Sequence, residues 1–206
     1  MALSRQKLLE AVRLEARGCR ACPLWKTGTQ TVFGAGPAPA PLLFVGEQPG
    51  DKEDLVGEPF VGPAGLMFDK AMDKAGLDRS AAYVTNAVKH FKFEPRGKRR
   101  LHKKPNSGEI EACLPWLKQE VELVQPKLIV ALGSTAVRAL AGKSLPVLEN
   151  RGRTRPTLFD VPMFVTVHPS SLLRVPDEAA RRAAFESFVT DLRKIAKLMA
   201  QLRSAA

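Results

Sequence analysis

Short apolar runs alternate with helical periodicities along this chain. Leu42-Leu43-Phe44-Val45 is a continuous apolar run ended by Gly46, the pattern of a strand buried on both faces. Similar runs occur at residues 82–87, 128–132 and 163–167. Residues 4–17 carry Leu8, Leu9, Val12 and Leu14 at helical spacing, and Gly18 ends that helix. Further helical patterns cover residues 65–75, 107–124 and 134–141, and a long C-terminal helix covers about 177–202. Asn106, with Glu109 three residues on, predicts a capping box at the start of the second of these. Strands alternating with helices imply a parallel sheet covered on both faces. The expected fold is a single three-layer α/β/α domain over residues 1–206, with a central, mainly parallel four-stranded sheet.

That architecture puts a site beyond the carboxyl ends of the strands. The segments there are Gly46-Glu47-Gln48-Pro49-Gly50-Asp51, Asn86, Gly133-Ser134 and His168-Pro169-Ser170. All are polar or rich in Gly and Pro. Ordinary strand-to-helix loops favour the same residues, but four such ends converge here.

Charge and cysteine content narrow the setting. Lys and Arg number 32 against 21 Asp and Glu, a formal charge of +11. Such a surplus points to a polyanionic partner, nucleic acid or an anionic surface. No apolar run approaches the ~20 residues that cross a bilayer, and the first ten residues lack a signal-peptide pattern. No membrane partner and a cytoplasmic location are therefore expected, and no dimer element is evident, so a monomer is expected. The three cysteines are an odd number, which argues against a disulfide framework. Cys19 and Cys22 form a C-x-x-C pair suited to a metal or cluster.

The three histidines occupy informative places. His168 follows a strand directly, and His90 lies four residues after Asn86. His102 sits in Arg96-Gly97-Lys98-Arg99-Arg100-Leu101-His102-Lys103-Lys104, where six of nine residues are basic. A cationic loop beside the site would neutralise phosphates. With Cys113, the C-x-x-C pair needs one further ligand, and His90 is the best candidate. Spacing alone admits either an iron–sulphur cluster with one histidine or a tetrahedral zinc site.

These residues resemble the iron–sulphur uracil-DNA glycosylases (family 4), most closely their UdgX branch, from Cys19 to about Arg174. The motifs that carry the resemblance are Gly46-Glu47-Gln48-Pro49-Gly50, Gly57-Glu58-Pro59-Phe60-Val61-Gly62, Thr85-Asn86-Ala87-Val88-Lys89-His90, Lys98-Arg99-Arg100-Leu101-His102 and His168-Pro169-Ser170. The resemblance implies a 4Fe–4S cluster held by Cys19, Cys22, His90 and Cys113. His90 stands where most family members have cysteine, a change shared with the UdgX branch. The branch pattern Lys-Arg-Arg-Ile-His is present with Leu101 in place of Ile, a volume-conserving change. It implies that His102 attacks the sugar once uracil leaves, so that the protein stays bonded to the abasic site.

The remaining roles follow from the same match and from the chemistry of each side chain. Phe60 stacks on a flipped base. Asn86 reads the pyrimidine edge, since an amide donates and accepts together. His168 donates to the uracil oxygen as negative charge develops there. Glu47 orients His102, Gln48 replaces the family's usual Ala and positions the base or a water, and Asp51 supports the site. Lys98, Arg99 and Arg100 hold phosphates and fix the loop. Ser170 contacts DNA, and Leu172 or Leu173 wedges into the base stack. The partners implied are uracil-containing DNA and, as product, free uracil. The rivals are an ordinary multiple-turnover glycosylase, a non-catalytic binder of uracil-containing DNA, and a zinc-dependent hydrolase.

Overall fold

The structure, a computed structural model, describes residues 3–204; the two residues at each end of the expected 1–206 domain lie outside it. In chain order the elements are α1 (Arg5–Ala16), β1 (Leu42–Gly46), α2 (Asp51–Val56), α3 (Pro63–Ala75), β2 (Tyr83–Asn86), β3 (Phe93–Arg96), β4 (Arg99–His102), α4 (Ser107–Val124), β5 (Leu128–Leu132), α5 (Ser134–Ala141), α6 (Val147–Asn150), β6 (Thr154–Arg155), β7 (Met163–Thr166), α7 (Pro169–Leu173) and α8 (Glu178–Ser204). The predicted helices and strands are present with small shifts at their ends. The α3 helix starts earlier than periodicity alone indicates, because Pro63 takes the first helical position. The capping box at Asn106 and Glu109 forms as expected.

The fold is a three-layer α/β/α sandwich around a mainly parallel sheet ordered β2-β1-β5-β7-β6. The sheet has five strands rather than the four expected. The additional strand, β6, pairs antiparallel with β7 through Thr154 and Arg155, too short a stretch to leave an alternation in sequence. Side chains alternate across the sheet. Leu43, Val45, Ile129 and Ala131 pack under α1, α4 and α5, while Leu42, Phe44, Val130 and Leu132 pack under α3 and α8. Burial on both faces explains why these strands read as unbroken apolar runs. Among the described residues, no helix is long and apolar enough to cross a membrane.

Residues 93–102, expected as a loop, form a two-stranded antiparallel ribbon separate from the main sheet. Its turn is Gly97-Lys98, and Gly97 adopts φ +58°, as the first position of a tight hairpin turn requires. Pro95 and the run of charges hide this ribbon from any apolar alternation.

Among the described residues, one ion pair has both side chains wholly buried. Lys89, after β2, donates to Glu120 Oε2 on α4 at 2.5 Å, to Thr85 Oγ1 at 2.6 Å and to the Asn86 carbonyl at 2.7 Å. Glu120 also accepts from Gly34 N–H and the Tyr83 hydroxyl. Removing the cation leaves a buried carboxylate without its counter-charge. Lys89→Met is expected to lower unfolding free energy by about 3–5 kcal/mol in urea denaturation. A loss under about 1 kcal/mol, the range of an exposed pair, would contradict this account.

Candidate active site

The chain passes from β1 to β2 on one side and later to β5 on the other, so the sheet's switch point lies between β1 and β5. Ligands of such sheets bind there. A cleft of about 1340 Å³ opens at this point. Glu47, Gln48, Asp51, Phe60, Asn86, His102, His168 and Ser170 all line it. A hydrogen bond of 2.5 Å from Thr135 Oγ1 to Glu47 Oε2 closes the switch point beneath them.

Backbone shape sets the cleft floor. A Cβ at Gly46 would lie 2.4 Å from Asn86 Oδ1 and 2.8 Å from the Phe60 ring, so only glycine lets the two approach. Phe60 has φ +59°, rare outside glycine, and its carbonyl lies against Gly65, where a Cβ would come within 1.7 Å. The Phe60 ring packs on Phe68 at 5.3 Å and lies 6.0 Å from the His168 ring at 30°. It is thus part core and part cleft wall. Asn86 is 2 % exposed, and its amide lines the cleft from the end of β2.

His168 opens α7. The Ser170 N–H donates to its Nδ1 at 3.2 Å, and Ser170 Oγ lies 2.8 Å from the same nitrogen. With Nδ1 accepting, the ring proton sits on Nε2. Burial pushes this imidazole down to about 4, and His102 and Arg174 act in the same direction. His168 is therefore a neutral donor at neutral pH.

The basic ribbon carries His102 over the cleft. His102 Nε2 lies 3.3 Å from Glu47 Oε1, which brings together the expected nucleophile and its orienting carboxylate. Two devices hold the ribbon. Gln48 donates from Nε2 to the carbonyls of Lys92 and Lys103 at 3.0 and 3.1 Å, and accepts from Lys92 N–H at 3.1 Å. Arg100 donates to Asp51 Oδ1 at 2.6 Å and to Asp54 Oδ2 at 2.5 Å, and its guanidinium lies over Phe91 and Phe93.

Three expectations change here. Gln48 was assigned the base or a water, but its amide is engaged with the ribbon's two ends. Arg100 was expected both to hold phosphates and to fix the loop; two carboxylates hold its guanidinium, so it fixes the ribbon, leaving Lys98 and Arg99 exposed near the ribbon tip. Of the two leucines expected as a wedge, Leu172 is 3 % exposed and packs in the core. Leu173 is 40 % exposed and lines the cleft. Two supporting residues escaped the sequence argument. Asp54 is fully buried and also accepts from Thr29 N–H. Glu53 accepts from Gly50 N–H and Gly62 N–H, tying together the loops that carry Glu47 and Phe60. The only trace in sequence is the i, i+3 spacing of Asp51 and Asp54 opposite a basic stretch.

Cys19, Cys22 and Cys113 are all buried free thiols. The Cys19 sulphur accepts from Trp116 Nε1–H at 3.1 Å and the Cys113 sulphur from Lys89 N–H at 3.4 Å. His90 Nε2 meets Thr31 Oγ1 at 3.0 Å, and its Nδ1 is buried with no partner among the described residues. An imidazole with one nitrogen held and the other unsatisfied is arranged like a metal ligand. The four side chains therefore fit a bound inorganic group. Among the described residues, no three His, Cys, Asp or Glu groups converge closely enough for a single metal ion.

The model of the uracil DNA glycosylase superfamily matches residues 33–193. The chain belongs to this superfamily. It is 35% identical to the Type-4 uracil-DNA glycosylase of Thermotoga maritima over 184 residues, covering 89% of this chain and 92% of that one. The Type-4 enzyme of Pyrobaculum aerophilum is 35% identical over 83% of this chain and 85% of its own. That of Archaeoglobus fulgidus is 32% identical over 92% of each.

For this superfamily member, His168 makes stability depend on pH in a defined direction. Its folded pKa lies below the ordinary histidine value, so the unfolded chain binds more protons between the two. The contribution is complete above about pH 6.5 and falls as the pH drops toward about 4. In an NMR titration, the ring signal missing from His168→Gln is expected to titrate near pH 4. A midpoint near 6.5 would contradict the neutral donor.

Proposed function

We propose that this chain excises uracil from DNA and then bonds covalently to the resulting abasic site through His102, as the UdgX branch does. The observation that carries this reading is His102 beside Glu47 over the cleft, on a ribbon braced by Arg100 and Gln48.

Uracil enters the cleft with its face on Phe60 and its edge on Asn86. The C1′–N1 bond breaks, and its electron pair leaves with uracil. The neutral His168 donates from Nε2 to the uracil oxygen as that charge develops, stabilising the leaving group. The oxocarbenium-like sugar left behind is electrophilic at C1′. The lone pair of the neutral His102 ring forms a C1′–N bond, and the proton on the other ring nitrogen passes to Glu47. The product is a protein–DNA adduct plus free uracil, so each molecule acts once. Lys98, Arg99 and Ser170 contact the DNA backbone, and Leu173 abuts the stack beside the extruded nucleotide.

The cofactor we assign is a 4Fe–4S cluster on Cys19, Cys22, His90 and Cys113. The orphaned His90 Nδ1 and the N–H donors aimed at the thiols support it. When bound, it supplies a structural cross-link between the N-terminal segment, the segment after β2 and α4. The protein acts in the cytoplasm, as a monomer.

The test is a denaturing gel of the purified protein mixed with a uracil-containing oligonucleotide. A slow, denaturant-resistant band is expected, with uracil released in amounts no greater than the enzyme. His102→Ala should abolish the band, and Glu47→Gln should slow its formation by about 10²- to 10⁴-fold, the range for losing a positioned proton acceptor. Abasic product in excess over enzyme would instead establish the multiple-turnover reading, and tight binding without uracil release a non-catalytic one. Iron and sulphide are expected on metal analysis, and zinc would overturn the cofactor assignment.

A further inference from the structure

A second concavity of about 420 Å³ lies beside the cleft, between α3 and the first turns of α8. Pro63 forms part of the wall of both. Pro63, Leu66, Met67 and Lys70 recur at i, i+3, i+4 and i+7, so they share one face of α3. Glu178, Arg181, Arg182 and Phe185 do the same on α8. Lys70 lies about 10 Å along the helix axis from Pro63 at 1.5 Å per residue. The groove therefore extends along α3 away from the cleft.

Its chemistry differs from that of the cleft. The apolar surface comes from Leu66, which is 66 % exposed, with Met67 and the half-buried Phe185. Lys70 and Lys74 lie over the Phe185 ring at 6.0 and 5.8 Å. Three cations line the groove against one acid, Glu178. Arg182 meets that acid at 3.3 Å, but both side chains are more than 70 % exposed (75% and 78%), so the pair holds Arg182 only weakly. Arg181 donates to the Val175 carbonyl.

We propose that this groove is a second DNA subsite, which holds a single strand flanking the nucleotide in the cleft. The inference rests on the DNA-processing reading above and adds a path for the strand. Continuity through Pro63 leads the strand from one concavity to the other. Lys70, Arg181 and Arg182 neutralise its phosphates. The Leu66, Met67 and Phe185 surfaces take base faces, which suits any sequence because every base has such a face. A duplex keeps those faces stacked inside and cannot use the apolar floor.

Binding of a thymine-only single-stranded oligonucleotide, measured by fluorescence anisotropy over a range of salt, tests the groove without any excision. The triple variant Lys70→Ala, Arg181→Ala, Arg182→Ala should lower the slope of log affinity against log salt by about 2, at roughly 0.7 per lost phosphate contact. Glu178→Lys adds a cation at an exposed position and should steepen the slope by about 0.7. This second variant keeps the test decisive if the triple variant folds poorly. Slopes parallel to the unaltered chain in both variants would overturn the proposal. Poly-glutamate that binds the unaltered chain but not the triple variant, with DNA slopes unchanged, would assign the groove to an acidic peptide and also overturn it. Uracil release by the unaltered chain is scored separately, so failure of the excision reading is distinguishable from failure of the groove.

Discussion

Arg100 is held on three sides. One nitrogen meets Asp51 at the start of α2, another meets the fully buried Asp54 one turn later, and the guanidinium plane covers two phenylalanine rings. Bonds between an arginine and carboxylates this short are charge-assisted and directional. Losing either aspartate would loosen one anchor of the ribbon that carries His102, while losing Arg100 would leave Asp54 charged in a dry site. The ribbon buries little of its own and belongs to no larger sheet, so it would not hold its shape alone. Its position over the cleft is imposed by Arg100 and by the three hydrogen bonds of Gln48.

The same logic recurs beneath the cleft. Glu53 joins two loops through backbone N–H groups, Thr135 holds one oxygen of Glu47, and Lys89 holds the Asn86 carbonyl from below. Lys89 also places its own N–H on the Cys113 sulphur. The residue that reads uracil in our account is thus one hydrogen-bonded step from the residues assigned to the cluster. A rigid cleft of this kind is prepared before DNA arrives, which is where electrostatic catalysis gains most.

Much of this was legible in the chain itself, for physical reasons. Strands buried on both faces leave unbroken apolar runs, so β1, β2, β5 and β7 were visible, and the residues at their carboxyl ends marked the cleft. The ribbon was not visible, because a strand pair with no core to cover has no reason to alternate apolar and polar residues. Its Pro95 and clustered charges read as loop. Asp54 and Glu53 look like ordinary helix-surface acids until tertiary contact buries them. Leu172 and Leu173 are chemically identical neighbours, and only the docking of α7 decides that the first is core and the second faces the cleft. The partners of Gln48 and Arg100 were hidden for the same reason: they lie far away in sequence.

The central claim is that a bond forms between His102 and the sugar. It is tested most directly by digesting the denatured protein–DNA complex and sequencing the adducted peptide by mass spectrometry. The account predicts that the peptide containing His102 carries the mass of a deoxyribose fragment on that imidazole and on no other residue. A sugar bonded to a different side chain, or unmodified His102 peptide alongside complete uracil release, would contradict it.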